Sequence, residues 1–421
     1  MSKDASTKST GASDTESDRE SAPIPARILY ATYAVGLASN ALVLMLRVVV
    51  PLWAVQLGMS AGEIGLAIGA SGVLPFVLAI HGGSLMDRLG TRRVTLVFAV
   101  TSTVLCALYP VMPFVIALYL LQVLSGFTTN MGWVGAQSLI VQFGRGNTTL
   151  ISRFSMAARI GTLMAPIVVG AVWDISGHWG AFLFCAVWSS TVVIALLMVP
   201  KALVETVAEK TNQKVTLRDI LPRLSDYTSA FAMMASPAVA FIVAVTYLRI
   251  GSSSMQGSFY VVYLEGIGYT GTLIGILIAM SEGGGMFGTV FAGPMERIMA
   301  PHWVLLLHIV LSLFFIAITP FLGGIFILLL IASGFRGSSQ GLSQPVMFAI
   351  LSRAVSKREQ GLSIGLRTTA NRLATMMIPP IMGLVIEFSN IEMSFVIVGG
   401  LLIALCGVVG LVIRRIPGFK T

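Results

Sequence analysis

Charged residues inside long apolar runs are the first feature of this 421-residue sequence that could do chemistry. An ionisable side chain in such surroundings costs at least about 2.5 kcal/mol, so it persists mainly in a cavity, a pair or a pathway. The runs contain one clear acid, Glu282, and six arginines, namely Arg47, Arg159, Arg249, Arg336, Arg367 and Arg372. A guanidinium offers a planar, bidentate donor to a carboxylate or a phosphate. The excess of arginine therefore predicts an anionic ligand.

The composition indicates what surrounds these charges. Of all residues, 56% are hydrophobic and 11% are charged, whereas soluble proteins are about 25% charged. Because a helix that crosses a bilayer needs about 20 apolar residues, we expect an all-α membrane protein with twelve transmembrane helices. The expected ranges, numbered spans 1 to 12, are 28–52, 64–85, 94–111, 115–141, 152–174, 180–199, 236–262, 271–293, 302–320, 323–351, 361–387 and 394–413. This pattern excludes a single-span receptor, a peripheral enzyme and a transmembrane β-barrel.

Polar segments divide the chain into four parts. We expect a disordered cytoplasmic tail at 1–26, an N-terminal six-helix half at 27–199, a cytoplasmic linker at 200–226 and a C-terminal six-helix half at 227–421. The tail is rich in Ser, Thr, Asp and Glu, a composition typical of disorder. The linker carries five Lys and Arg residues and separates six spans from six.

The distribution of Lys and Arg predicts the orientation. With a cytoplasmic N-terminus, the tail, the linker and the loops on the same side hold the basic residues. The loops on the opposite side hold instead Glu63, His178, Glu265 and Glu392. The positive-inside rule therefore predicts a multi-pass protein of the inner (plasma) membrane with both termini cytoplasmic. The net charge of +9 is then explained by topology and lipid head groups, and we expect no nucleic-acid partner.

An internal repeat relates the two halves. A shift of 213 residues aligns Arg159-x-x-Thr162-x-Met164-x-Pro166-x-x-x-Gly170 of span 5 with Arg372-x-x-Thr375-x-Met377-x-Pro379-x-x-x-Gly383 of span 11. The alignment continues with Asp174 on Glu387, and Ile64-Gly65 of span 2 recurs as Ile274-Gly275 of span 8. The repeat predicts two pseudo-symmetric halves in parallel orientation, related by an axis along the membrane normal.

A loop motif stands between spans 2 and 3, at 83–93, with the sequence Gly-Ser-Leu-Met-Asp-Arg-Leu-Gly-Thr-Arg-Arg. Its carboxylate, Asp87, lies among arginines and could pair with one of them or accept N–H groups at a helix N-terminus. Arg92 and Arg93 could equally be ordinary positive-inside residues. The motif resembles the signature G-x-x-x-D-R-x-G-x-R-[KR] of the major facilitator superfamily.

The resemblance covers spans 1 to 12 and implies a monomeric secondary transporter in which the two halves rock about a central cavity lined by helices 1, 4, 7 and 10. It favours the proton-coupled branch that moves drugs and organic solutes. By this resemblance, Asp87 would hold the cytoplasmic side shut through a contact near the start of helix 11. The gating residues that we expect are Asp87, Arg88, Arg92, Arg159, Arg372, Pro166 and Pro379.

Span 5 carries a second motif, Gly161-x-x-x-Ala165-Pro166-x-x-x-Gly170. It is similar to the antiporter signature G-x-x-x-G-P-x-x-G-G of the superfamily, but it has Ala165 in place of glycine and shifted final glycines. The similarity favours export. A structural hinge is the alternative, because a proline bends a helix and frees a carbonyl group.

The substrate-binding residues that we expect are Arg47, Arg249, Arg336, Asn130, Gln137, Gln256 and Gln340. Hydrogen bonding between helices explains the polar members of this set equally well. Glu282, near the middle of span 8, is the expected proton-coupling residue, and its alternative role is the permanent neutralisation of a buried arginine. The sequence has no Walker loop and no metal-ligand spacing, so we expect no cofactor or metal and exclude ATP-driven transport by this chain alone.

These observations favour a secondary active transporter that moves a small amphipathic organic anion, with protons as coupling ions. The nearest alternative is a multidrug:proton antiporter for neutral or cationic compounds, which would use Glu282 for both proton and cation. A membrane sensor or scaffold of the same fold is an alternative of another class, and a lipid scramblase or flippase is a third. An enzyme is not expected.

The substitution Asp87→Asn tests the predicted gate. It removes only the charge, so the protein should stay folded while its population shifts toward the state that is open to the cytoplasm. Labelling of introduced cysteines on both membrane faces measures this balance. An unchanged ratio of the two states would exclude the gating role of Asp87.

Overall fold

The computed structural model describes residues 25–144, 147–200, 233–354 and 360–415. Within these ranges it leaves the side chains at 79–84, 87–88, 144, 233, 352–354 and 360–364 undescribed. Nearly all of the expected linker and of the expected tail therefore lies outside the described residues, and so do the side chains of Asp87 and Arg88. Their predicted roles stay predictions.

The N-terminal half contains helices α1 to α6. α1 is Ala26–Gln56, α2 has two pieces, Ala61–Ala70 and Val73–Leu89, α3 is Thr91–Leu108 and α4 is Val115–Gly144. The next helix, Thr148–Met198, is 51 residues long and turns at Gly177, where φ is 63°. A left-handed φ costs glycine little because it has no Cβ. The turn separates α5 (148–176) from α6 (178–198).

The C-terminal half contains helices α7 to α12. α7 runs from Pro237 to Gly266 and includes a π-helical turn at Gln256–Tyr260. The remaining helices are α8, Gly271–Val290, α9, Pro301–Ala317, α10, Phe326–Ala354, α11, Gln360–Phe388, and α12, Ile391–Arg414. A short helix, Ala292–Ile298, precedes α9 and meets it at 119°.

The described residues contain nine helices that are long and apolar enough to cross a membrane, or ten if the bent pair before and including α9 counts as one span. α5 and α6 count there as one helix, and α10, at 29 residues, is long enough but more polar. Separating α5 from α6 and adding α10 gives twelve. The predicted all-α, twelve-helix membrane fold is confirmed.

Small residues bring the helices of each half together. In the C-terminal half, α8 packs closely on α10, where Gly288 faces the backbone of Ser338 and Gly284 faces that of Gly334. A Cβ at either glycine would collide with a carbonyl oxygen of α10. Such small residues let membrane helices approach closely where no water is present to drive association.

Two matching helix pairs join the halves. α5 packs on α8, with Gly275 against the carbonyl of Pro166, and α11 packs on α2, with Gly65 against the carbonyl of Pro379. Pro166 and Pro379 are equivalent in the internal repeat, so the two seams are related by the same pseudo-symmetry. Both prolines therefore lie at close contacts between the halves.

The two ends of the helix bundle differ in charge. We call the end that carries Glu63, Asp174, Glu265, Glu387 and Glu392 the acidic end, and the opposite end, with Arg92, Arg93, Arg153, Arg297 and Arg414, the basic end. The seams run from Gly383 and Gly170, near the acidic end, to Gly72, which lies against the backbone of Arg372. The close contacts of both seams thus lie between the acidic end and the middle of the bundle.

The substitution Gly288→Val tests the packing of α8 on α10. The added side chain would force the helices apart, and overpacking of this kind costs about 1–3 kcal/mol. Gly407→Val in α12 is the matched control, because a Cβ there meets nothing within 4 Å. Thermal unfolding of the purified proteins in detergent should show a lower midpoint for Gly288→Val alone. Equal midpoints would contradict the close-packing role.

Candidate functional site

A cavity of about 280 Å³ lies at the middle of the bundle. α1, α2 and α4 of the N-terminal half form its walls together with α7 and α11 of the C-terminal half. Its polar lining consists of Asn40, Arg47, Ser71, Gln122, Ser125, Thr129, Asn130, Ser253, Ser254, Asn371, Arg372 and Thr375. The resemblance implied a cavity lined by α1, α4, α7 and α10. Among the residues that line this cavity, α2 and α11 are represented and α10 is not, because the glycines of α10 pack against α8.

Two arginines from opposite halves reach this cavity. Arg47 of α1 lies across Gly257 of α7, where a Cβ would sit 3.4 Å from its Cδ. Arg372 of α11 donates a hydrogen bond to Oδ1 of Asn130, and its buried Nε has no hydrogen-bond partner. The two guanidinium groups repel each other electrostatically. The cavity therefore places two cations where a single anion could contact both.

Hydrogen bonds behind the cavity wall hold part of its polar lining. The hydroxyl of Tyr109, a fully buried side chain, donates to Oε1 of Gln122 at 2.9 Å and lies 2.6 Å from Oγ of Ser125. The sequence analysis missed these residues. Gln122, Ser125 and Thr129 are spaced three and four residues apart, a polar stripe that could have been found on α4. Tyr109, which follows α3, gave no comparable signal.

A second cluster of polar groups lies outside the cavity lining, where α7, α8 and α10 meet. Arg336, 3% exposed, donates to the hydroxyl of Ser281, and the hydroxyls of Tyr260 and Ser333 lie 3.0 Å apart. Glu282 is partly buried next to this cluster. The guanidinium groups of Arg47, Arg336 and Arg159 act electrostatically on its carboxylate. Glu282 therefore interacts both with an arginine of the cavity and with one outside it.

Arg249 and Gln340 form a contact of their own beyond the cavity wall. Arg249 is 9% exposed, and its backbone carbonyl accepts a hydrogen bond of 3.1 Å from Nε2 of Gln340. The Nε of Arg249 is buried without a partner. Gln256, in the π-helical turn, is also buried and has an unpartnered side-chain nitrogen. None of these three residues lines the cavity.

The other predicted site residues lie apart from the cavity. Gln137 and Arg159 are exposed. Arg92 is buried, and its Nε donates a hydrogen bond of 3.0 Å to the carbonyl oxygen of Leu196, which ties α3 to α6 within one half. Within the described ranges, no group of three His, Cys, Asp or Glu side chains is close enough to hold a metal ion. Of the predicted residues, the cavity thus brings together Arg47, Asn130, Arg372 and Pro379.

The sequence matches the family model of the Major Facilitator Superfamily over residues 31–251 and 242–420. Because these matches cover nearly the whole chain, the protein belongs to the major facilitator superfamily. It is therefore a membrane-integral transporter and not an enzyme. No protein of curated function matches the sequence.

Solved transporter structures share the fold. A mutant of the nucleoside transporter NupG superimposes with a TM-score of 0.77 at 14% identity, covering 91% of this chain and 99% of that chain. A mutant of the peptide transporter POT gives 0.70 at 17% identity, with 93% and 95% covered. A bacterial homologue of the human lysosomal transporter Spinster, inward-facing and unoccupied, gives 0.68 at 16% identity, with 93% and 97% covered. At these identities the similarity concerns the fold alone.

Proposed function

We propose that the protein is a monomeric secondary transporter that moves a small amphipathic organic anion across the cytoplasmic membrane, with export as the favoured direction. The observation that carries this proposal is the presence of Arg47 and Arg372, from opposite halves, in one central cavity. Guanidinium groups bind carboxylates and phosphates through paired, charge-assisted hydrogen bonds. An anion between them would neutralise two cations that otherwise repel each other.

The position of the two arginines fits alternating access. Arg47 belongs to the N-terminal half and Arg372 to the C-terminal half, so a bound anion would touch both moving bodies. A ligand shifts a conformational equilibrium only when it interacts differently with the two states. Because the two arginines move relative to each other, one anion can supply that difference. The unpartnered Nε of Arg372 is a donor available for such a contact.

The lining also supports an amphipathic substrate. Between the polar groups, the walls contain the aliphatic side chains of Val43, Leu46, Val50 and Ile68 and the indole of Trp133. Ligand sites in proteins commonly combine apolar surface with a few oriented polar groups. The apolar part of a substrate would pack on this surface while its anionic part reaches the arginines.

The proposed orientation places the basic end in the cytoplasm, as the positive-inside rule requires. The seams between the halves then close the cavity toward the outside. In this orientation both termini are cytoplasmic.

The substitution Arg47→Gln tests the anion site. Loss of a charge-assisted hydrogen bond should weaken anion binding by about 1.5–3 kcal/mol, which is roughly 10- to 150-fold. The measurement is the uptake of labelled solutes into proteoliposomes, using a panel of organic anions and cations, and the inhibition of that uptake by unlabelled solutes. Arg153→Gln is the control, because it removes an exposed arginine of the basic end that does not line the cavity.

We expect anion transport to fall in Arg47→Gln and in Arg372→Gln and to persist in the folded control. Transport of cations or neutral compounds with unchanged affinity in both cavity variants would contradict the anion proposal. That outcome would favour the multidrug:proton antiporter, in which Glu282 binds both the proton and the cation.

We further propose that Glu282 couples transport to protons. Its electrostatic interactions with Arg47 and Arg336 link it to one arginine of the cavity and to one outside it. A carboxylate in apolar surroundings favours its neutral form, and nearby arginines favour its charged form. Movement of the two halves changes the distance from Glu282 to Arg47, because α8 and α1 belong to different halves. That change would alternate proton binding and release.

The substitution Glu282→Gln tests this coupling because it mimics the protonated acid. Uphill transport driven by an imposed pH gradient should be lost, whereas exchange of substrate across the membrane should remain, since exchange needs no net proton movement. Both activities are measured in the same proteoliposomes. Full pH-driven accumulation by the variant would contradict the coupling role, and joint loss of stability and of both activities would indicate a structural neutralising role.

A further inference from the structure

Two carboxylates at the acidic end cross from one half of the protein to the other. Asp174, near the end of α5, accepts hydrogen bonds from the backbone N–H groups of Gly271 at 2.7 Å and Thr272 at 2.8 Å, and from the Thr272 hydroxyl at 2.5 Å. Gly271 and Thr272 are the first two residues of α8. A side chain of the N-terminal half thus binds the start of a helix in the C-terminal half.

Glu387, near the end of α11, makes the equivalent contact in the opposite direction. Its Oε1 accepts a hydrogen bond of 2.8 Å from the backbone N–H of Gly62, the second residue of α2. The side chain of Ser60 also interacts with this carboxylate. Here a side chain of the C-terminal half binds the start of a helix in the N-terminal half.

The internal repeat relates the two contacts to each other. Asp174 and Glu387 are 213 residues apart, as are Pro166 and Pro379 on the same helices. The helix starts that receive them are also equivalent, since Ser60 and Thr270 are 210 residues apart. The protein therefore has one such contact on each of its two seams.

At each of these helix starts, the residue that precedes the helix caps only some of the free N–H groups. The Ser60 side chain accepts the N–H of Glu63, and the Thr270 side chain accepts that of Leu273. The N–H groups of the first turn have no partner within a helix, and the positive end of the helix dipole favours an anion there. The carboxylate from the other half takes N–H groups that the helix's own cap leaves free. Separating the seams would return these N–H groups to water.

We propose that Asp174 and Glu387 are a pair of gate residues that hold the acidic end closed, and that both contacts must break when the cavity opens to that end. More donors converge on Asp174, so its contribution is the larger. The proposal rests on membership of the transporter family and on these contacts, and it is independent of the substrate and of the coupling ion.

The distance across the acidic end tests this proposal. Spin labels would be attached at Gln56→Cys, at the end of α1, and at Ile267→Cys, just after α7. Both positions are exposed, and the three native cysteines are buried. Pulsed electron paramagnetic resonance in lipid nanodiscs without substrate then reports the ratio of closed to open populations.

Asp174→Asn should raise the ratio of open to closed molecules about tenfold, because charge-assisted hydrogen bonds become neutral ones. Glu387→Gln should shift it in the same direction by less, and the double variant should shift it furthest. Thr272→Val, which keeps every charge and removes one donor to Asp174, should give a small shift of the same sign. This variant keeps the test available if Asp174→Asn does not fold.

Glu392→Gln is the matched control, since Glu392 is an exposed acid at the same end, in the first turn of α12. It should leave the distance distribution unchanged. A wild-type distribution in folded Asp174→Asn, Glu387→Gln and Thr272→Val proteins would overturn the proposal. An equal shift in Glu392→Gln would overturn it as well, because the effect would then follow the total charge of the acidic end and not these two contacts.

Discussion

Within a membrane, polar groups must find partners inside the protein, and the rest of this structure depends on that constraint. An α-helix provides hydrogen-bond partners for its own backbone N–H and C=O groups. Close approach between helices then requires glycines, as where α8 meets α10 and where the two seams join the halves. The same constraint makes every buried arginine significant, because a guanidinium without a nearby acceptor is costly. Arg336 meets the hydroxyl of Ser281, and Arg372 meets Asn130 while keeping an unpartnered Nε beside the cavity.

The internal repeat accounts for the scaffold and not for the cavity. Pro166 with Gly275 and Pro379 with Gly65 form one seam and its copy, so backbone packing follows the pseudo-symmetry. The polar lining of the cavity does not follow the pseudo-symmetry. Arg159 and Arg372 are equivalent in the repeat, yet Arg159 is exposed and Arg372 lies in the cavity wall. In the proposed transport cycle, the symmetric seams would allow the two halves to rock as similar bodies, and the asymmetric lining would give one ligand a single binding geometry.

The sequence predicts the fold far better than the cavity. Hydropathy identifies the twelve helices because each helix needs a run of about 20 apolar residues, and the internal repeat supports the division into two halves. The residues that line a cavity depend on the rotation of each helix about its axis, and a helix that is apolar on most sides leaves that rotation open. Arg336 illustrates the difficulty, since α10 turns it toward Ser281 of α8. Gln122 and Ser125 line the cavity but were not predicted. Uncharged polar residues are common in membrane spans, and only the spacing of these two distinguishes them.

The π-helical turn at Gln256–Tyr260 gives α7 a position at which the length of the sequence can change in evolution. A π-turn accommodates one residue more than an α-helix, and such turns are frequent at functional sites. Just before the turn, Ser253 and Ser254 line the cavity. At the end of the turn, the hydroxyl of Tyr260 lies 3.0 Å from that of Ser333 of α10. Each residue of an α-helix advances the chain by about 100° around the axis. Deletion of one residue here would convert the π-turn into an α-helical turn and leave the two ends of α7 with the same faces, whereas a deletion elsewhere in α7 would rotate one end relative to the other by about 100°.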